Sequence, residues 1–292
     1  MSVTQKNQIQ NGTLYLVSTP IGNLSDLSER AIKVLSEVDF IAAEDTRNSG
    51  MLLARHGISK PMISYFEHNK REHGRIIVKK LLSGESCAVV TDAGTPAISD
   101  PGEDLVAECA KDGIPVVPVP GACAAITALS VSGLPTGRFV FEGFLPIQNR
   151  ERSRRLDELA SERRTIILYE APHRLEATLS DLLVRLGERR ITICRELTKL
   201  NEEIVRTTLP EAATYYENND PRGEYVLVLE GTSETDKGTE DFPEDPSEHV
   251  SLLMEEGLER MDAIKKAAKQ RGLSKGAFYK LLVTDINRKN NE

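Results

Sequence analysis

This 292-residue sequence predicts an α/β protein made of two successive α/β layers and a helical tail. Three observations predict it. Short apolar runs alternate with amphipathic helical stretches across short loops, the pattern of a parallel α/β layer. The alternation pauses at Pro135–Gly137 and then restarts. An acidic, proline-containing stretch finally separates it from a segment with helical character only. These breaks divide the chain into an N-terminal α/β domain at 12–134, a second at 135–231, a linker at 232–246 and a helical tail at 247–292.

Each element has its own signal. Residues 13–18 (TLYLVS) form a short apolar strand that ends in the turn Pro20–Gly22. In 28–39, Ala31, Ile32, Leu35 and Val38 recur at helical spacing, with Ser28 placed to cap the helix. A strand at 39–43 precedes a helix at 46–56 that Gly57 ends. A helix at 75–82, a buried-type strand at 87–91, a helix at 104–111 and a strand at 116–119 complete the first half. The second half reads strand 138–142, helix 151–160, strand 165–169, helix 174–186 and strand 191–195. A strand pair follows at 203–208 and 224–229 with a helix at 210–218 between, which predicts a mixed sheet rather than a purely parallel one. Gly272 and Ser274 split the tail into two helices.

Composition narrows the function classes. Apolar residues make up 39% and charged residues 28%, the profile of a globular protein. No apolar run approaches a membrane span, and Met1 to Asn11 is polar, so the expectation is a cytoplasmic protein with no membrane partner. Cys87, Cys109, Cys123 and Cys194 are scattered without a CxxC, which argues against a disulfide framework or a zinc site. His68 and His73 lack ligand spacing, so no metal is expected. Much of the net charge of −8 is local, since residues 233–248 carry seven acids against one base. Global acidity therefore does not exclude a nucleic-acid partner. Basic runs occur around Lys70–Lys80, around Arg150, Arg152 and Arg154, and in the tail near Lys275. Each alone is the usual solvated helix face. Tryptophan is absent, which leaves Tyr65, Phe66 and Phe144 as the candidates for base stacking.

Three turn-forming segments follow strands of the first half: Ser18 to Asn23, Thr91 to Gly102 and Val117 to Ala125. Ligands of open α/β sheets bind beyond the carboxyl ends of the strands, and glycine and proline let backbone approach a ligand closely. Any one such loop is an ordinary connection. The twelve residues TDAGTPAISDPG are too elaborate for that. No GxGxxG or GxxxxGK[ST] is present, so an ordinary dinucleotide or P-loop site is not expected.

Together, STPIGNLSD (18–26), AEDTR (43–47), TDAGTPAISDPG (91–102), VPVPGACAA (117–125), SGLP (132–135), FEGFLP (141–146), YEAPHR (169–174) and RELTK (195–199) resemble the tetrapyrrole methylase superfamily. The resemblance is to its branch that 2′-O-methylates a cytidine in the decoding centre of 16S rRNA. It implies two α/β domains of tetrapyrrole methylase type with S-adenosylmethionine in the cleft between them, commonly as a homodimer, with the small ribosomal subunit as partner. It places cofactor contacts on Pro20, Ile21 and Gly22, on Asp92, Gly94, Thr95 and Ile98, on Cys123 and Ala124, and on Tyr169, Thr198 and Gly223.

A ribose hydroxyl is a weak acid, so transfer to it needs in-line placement and help in removing a proton. Rim position and residue type nominate Glu44 and Asp45, or the pair Glu196 and Lys199, for that help. They nominate Arg47 and Arg174 for RNA phosphate, and the basic runs, taken with the resemblance to an rRNA methylase, add Arg150, Arg152, Arg154 and Lys275. Plainer roles stand beside these: Glu44 and Asp45 complementing a helix N-terminus, and Glu196–Lys199 as a surface ion pair. Two other functions remain open at this stage, a methyltransferase acting on a tetrapyrrole and a non-catalytic RNA-binding module of the same fold.

Overall fold

The computed structural model describes residues 8–100, 102–232, 243, 245–255, 257–271 and 273–289. Residues 1–231 form one compact unit and 232–292 a second.

The first unit opens with β1 (Leu14–Val17), α1 (Glu29–Glu37), β2 (Phe40–Ala43), α2 (Thr46–Arg55), β3 (Met62–Ser64), α3 (Lys70–Leu82), β4 (Cys87–Val90), α4 (Gly102–Lys111), β5 (Val116–Val119) and α5 (Ala124–Val131). Its five strands make a parallel sheet in the order β3-β2-β4-β1-β5. Strands β2 and β4 are buried along their whole length because helices cover both faces. One face packs on α1 through Ala31, Val34 and Leu35, the other on α3 and α4 through Ile77, Leu81 and Leu105. The Ser28 hydroxyl accepts the Ala31 N–H at 3.1 Å and so starts α1 as expected. Two elements were not anticipated. Strand β3 has only three residues, and α5 (AAITALSV) is apolar nearly all round, so it shows no amphipathic period. Helix α3 also begins at Lys70, five residues before the expected start.

The second sheet holds β6 (Phe139–Phe144), β7 (Thr165–Glu170), β8 (Arg190–Arg195), β9 (Glu203–Thr208) and β10 (Tyr225–Leu229), in the order β6-β7-β10-β8-β9. Helices α6 (Asn149–Ala160), α7 (Pro172–Leu186) and α8 (Leu209–Glu217) pack on one face through Leu156, Leu175, Leu179 and Leu209. The sheet is mixed, but 203–208 and 225–229 are not partners. β9 pairs antiparallel with β8, while β10 lies antiparallel between β7 and β8. All five residues of β10 are buried, and an edge position would waste that apolar run. On the opposite face lies α5. Its Ala125, Ala128 and Leu129 share a core with Ile167, Cys194, Val226 and Val228 of the second sheet. The last helix of the first layer thus roofs the second sheet, which fixes the geometry of the cleft between them.

In the second unit, the described residues of the tail form three helices, α9 (Pro246–Glu255), α10 (Arg260–Gln270) and α11 (Lys275–Lys289), where two were expected. The additional break falls at Gly257, whose φ of 96° is left-handed backbone suited to glycine. Val250, Leu253, Ile264, Ala267 and Phe278 form its core. The second break lies between α10 and α11 as expected, although Gly272 is outside the described residues. So is most of the expected linker, 233–242 and 244. No helix among the described residues is long and apolar enough to cross a membrane.

Candidate active site

In the first sheet, parallel pairing puts the carboxyl ends of β1, β2, β4 and β5 at one edge. In the second, Tyr225 is in register with both Glu170 and Arg195, so the ends of β7 and β8 meet the start of β10. These two edges bound a cavity of about 540 Å³. Ile21, Asp92, Gly94, Thr95, Ile98, Cys123, Ala124 and Tyr169, eight of the expected cofactor contacts, line it. Pro20 and Gly22 line an adjoining cavity of about 650 Å³. Thr198 and Gly223 are on neither wall.

The three glycine loops are stitched together by their own polar groups. Thr19 and Gly94 exchange backbone hydrogen bonds at 2.9 and 3.2 Å. The Thr95 hydroxyl donates to the Ala122 carbonyl at 2.9 Å and lies 3.0 Å from the Ser18 hydroxyl. Thr95 therefore ties the second loop to the first and third. Non-glycine residues with positive φ, among the described residues, occur only at Ala97, Ser99, Glu196 and Thr198, all in two loops of this cleft. Each such conformation costs on the order of 1 kcal/mol or more and persists where the surroundings over-determine it. Here Asp100 holds the second loop, its Oδ1 accepting the N–H groups of Ala97 and Gly102 at 2.9 and 2.7 Å. Its other oxygen, Oδ2, is buried without a hydrogen-bond partner beside the cavity. Burial raises the Asp100 pKa above the usual carboxylate value.

The loop 195–199 closes the other side. Gly22 lies so near it that a Cβ would sit 2.4 Å from Lys199 Cγ and 3.0 Å from the Leu197 carbonyl oxygen. The Asn23 N–H donates to the Thr198 hydroxyl at 2.9 Å. Gly223 leaves room for Glu196, whose Cγ would lie 2.5 Å from a Cβ there. Thr198 and Gly223 thus shape the loop that borders the cleft.

Of the four residues expected to assist proton removal, Glu44 alone faces the 540 Å³ cavity. Its Oε2 accepts the Thr91 hydroxyl at 2.6 Å and the Asp92 N–H at 3.3 Å. Asp45 caps α2 and pairs with Arg47 at 2.7 Å. The Arg47 side chain and backbone hold its pKa down at about 2. The Lys199 ammonium bridges Glu196 at 2.8 Å and Glu224 at 2.9 Å. Burial works to lower the Lys199 pKa, but the hydrogen bonds to Glu196 and Glu224 outweigh it and leave the value raised. The hydrogen bond from Lys199 lowers that of Glu196. A carboxylate with a depressed pKa and an ammonium that keeps its proton are both poor proton acceptors.

Tyr169 accepts the Ala125 N–H at 3.1 Å at the start of α5, and burial pushes its pKa up to about 12. Its ring meets Phe144 edge to face at 5.7 Å, and Phe144 lines the cavity while 52% exposed. Tyr65, by contrast, is buried. Among the basic candidates, Arg152 and Arg174 point inward. Arg152 binds Asp181 at 2.7 Å and the Thr178 hydroxyl at 2.9 Å, and Arg174 donates to the Leu145 carbonyl at 2.6 Å. Arg47, Arg150, Arg154 and Lys275 are exposed. Several wall residues escaped the sequence reading, Glu224 chief among them. Glu224, before β10, borders both cavities, and it stands at the amino end of a strand where the carboxyl-end rule does not look. Among the described residues no group of three or more His, Cys, Asp or Glu could hold a metal ion.

Residues 13–213 match the family of Tetrapyrrole (Corrin/Porphyrin) Methylases. The chain belongs to the tetrapyrrole methylase family. This tetrapyrrole methylase is a methyltransferase that uses S-adenosylmethionine. It is 50% identical to ribosomal RNA small subunit methyltransferase I of Synechocystis sp. over 92% of its length and 97% of that protein. The same-named protein of Halalkalibacterium halodurans is 47% identical over 92% of this chain and 94% of its own. In fold it is similar to uroporphyrin-III C-methyltransferase of Thermus thermophilus in complex with S-adenosyl homocysteine. The TM-score is 0.53 at 21% identity, covering 75% of this tetrapyrrole methylase and 97% of that chain. The cavity fits an adenosyl group with a charged amino-acid end. Gly94 is wedged 3.3 Å from Ile21 Cγ2 by the position its Cβ would take, apolar Ile21, Ile98 and Leu197 flank the space, and the unpartnered Asp100 oxygen offers an acceptor.

Proposed function

We propose that this chain is a ribosomal RNA methyltransferase that acts, as a homodimer, on the 2′-oxygen of a cytidine ribose in the decoding centre of 16S rRNA. The observation that carries this reading is the 540 Å³ cavity, walled by three stitched glycine loops and by Tyr169 and Glu224, in a chain half identical to a protein named for that ribosomal subunit. In this reading the chain divides into two α/β domains at 134, between α5 and β6, and the donor lies in the cleft between the two sheets.

S-adenosylmethionine supplies a methyl group already activated on a sulfonium. The residues of this chain provide placement. Ile21, Ile98 and Ala124 give the cavity apolar wall, and Gly94 and Cys123 bring backbone close to its occupant. Thr95 keeps the loops in register rather than spending its proton on a ligand. Tyr169 secures the N-terminus of α5 against the second sheet. Exposed Arg47, Arg150, Arg154 and Lys275 are the side chains offered to phosphate, while Arg152 and Arg174 support the fold.

The test is transfer of radiolabelled methyl from S-adenosylmethionine to three acceptors in parallel: small ribosomal subunits lacking the modification, naked 16S rRNA and a precorrin. A 2′-O-methyl group blocks alkaline cleavage at its own linkage. Label in an alkali-resistant dinucleotide is the expected outcome, and label in the precorrin alone would replace this reading with the tetrapyrrole one.

A further inference from the structure

The second cavity, about 650 Å³, adjoins the first and shares with it Ile21, Thr91, Asp92, Ala93 and Glu224. A methyl transfer needs the acceptor oxygen and the methyl carbon in line and about 3–3.5 Å apart, a placement that two adjoining cavities can provide. The far side of this second chamber is built from α2: Asn48, Met51, Leu52 and Arg55. Met51 is 68% exposed, and Leu24 across the chamber is 41% exposed. Apolar side chains flanked by an amide and a guanidinium suit one flat base with polar edges and its phosphate.

At the common wall stand two acids. Glu224 is committed to Lys199. Asp92 makes no salt bridge with a basic side chain; its Oδ2 accepts from the Asn48 amide at 3.3 Å. Around it are Glu44, Asp45 and Arg47 at the start of α2, while Lys199, Glu224 and Arg55 line the same chamber. Burial, and then the charge of Glu44, raise its pKa above the ordinary carboxylate value. It is thus a stronger proton acceptor than the ion-paired Asp45 and Glu196.

We infer that the 650 Å³ cavity holds the acceptor nucleotide and that Asp92, on its common wall with the donor cavity, accepts the proton of the ribose 2′-hydroxyl. This rests on the RNA methyltransferase reading above. The ribose oxygen bonds to the methyl carbon, the carbon–sulfur pair departs with sulfur as a neutral thioether, and the hydroxyl proton passes to the Asp92 carboxylate. Asn48 orients that carboxylate, and Arg55 binds the nucleotide.

The experiment uses the full chain with small ribosomal subunits lacking the modification. It follows S-adenosylhomocysteine affinity by calorimetry, subunit KM, and single-turnover rate against pH. Arg55→Met is expected to raise KM about tenfold, the loss of one charge-assisted hydrogen bond, with S-adenosylhomocysteine affinity unchanged, and Asn48→Ala to lower the single-turnover rate with KM unchanged, since its amide holds the Asp92 carboxylate. At saturating S-adenosylmethionine and subunits, Asp92→Asn is expected to lose roughly 10²-fold or more in single-turnover rate and to lose the acid limb of the pH profile, with Asp92→Glu restoring part of each. If Arg55→Met weakens S-adenosylhomocysteine and leaves KM alone, the chamber belongs to the donor and the inference fails. It fails also if Asp92→Asn keeps its acid limb. A wild-type protein that binds S-adenosylhomocysteine and labels no RNA overturns the function reading and this inference together; a labelling wild type with unmoved variants overturns the inference alone.

Discussion

Gly22 shows how one missing side chain holds the cleft together. A methyl group there meets the Leu197 carbonyl at 3.0 Å and the Lys199 stem at 2.4 Å. The stem can swing away, but the carbonyl belongs to a loop already bent through left-handed Glu196 and Thr198. Gly22→Ala is therefore expected to break the Lys199 bridge, lower the melting temperature and weaken S-adenosylhomocysteine binding, which calorimetry and a thermal melt would show. The bridge also has a pH signature. The folded pKa of Glu196 lies below its ordinary value of about 4.3, so its contribution is complete above that pH and is lost as pH falls through the folded value. Lys199 is shifted upward, so its contribution is complete below the ordinary lysine value and is lost only as pH rises through the folded one. Melting temperature followed from neutral to about pH 3 is expected to fall less steeply in Glu196→Gln than in the wild type. Residues at this scale were legible in the sequence where a motif carries them: Ile21, Asp92 and Tyr169 reach the cavity wall. The pairing of Lys199 with Glu196 was legible too, but its second partner Glu224 and the Arg152 partner Asp181 were not, because they lie 25 and 29 residues away in the chain.

Among the elements, α1 and β10 make the contrast. Helix α1 announces itself by its cap and its apolar stripe, and Ser28→Ala should cost about 1 kcal/mol, a loss of about 2–4 °C in melting temperature for a unit of this size. Strand β10 announces itself as apolar but not where it belongs. Leu227 at its centre is fully buried, packed in the core under α7 and α8. Leu227→Ala is expected to cost about 2–5 kcal/mol, measured by denaturant unfolding. Sequential strands usually neighbour each other, which is why 203–208 and 224–229 read as partners. The hydrophobicity of β10, buried at all five positions against half-exposed β9, decides the matter the other way. Helix α5 was illegible for a different reason: it is apolar on nearly every side, with Ile126 half exposed, so it has no period to read.

At the scale of the whole molecule, the tail is a compact unit with its own core. Lys275 and Lys280 are exposed on α11, and Lys265 on α10 is 58% exposed at its side chain. Ending the chain after Gly231 is expected to leave S-adenosylhomocysteine affinity intact and to flatten the dependence of RNA binding on salt, since fewer phosphates are neutralised. A salt slope equal to that of the full chain would free the tail from that role. The threading of β10 has an effect on synthesis as well. This strand is the last of the first unit to be translated, yet it sits in the middle of its sheet and supplies Tyr225 and Val226, with Glu224 just before it, to the 540 Å³ cavity. A nascent chain can complete the first sheet early, but β7 and β8 must wait with a vacant lane between them until residue 229 has emerged. Competence to take up the methyl donor therefore arrives late in synthesis and in a single stroke, so that truncated products of this gene are born unable to compete for it.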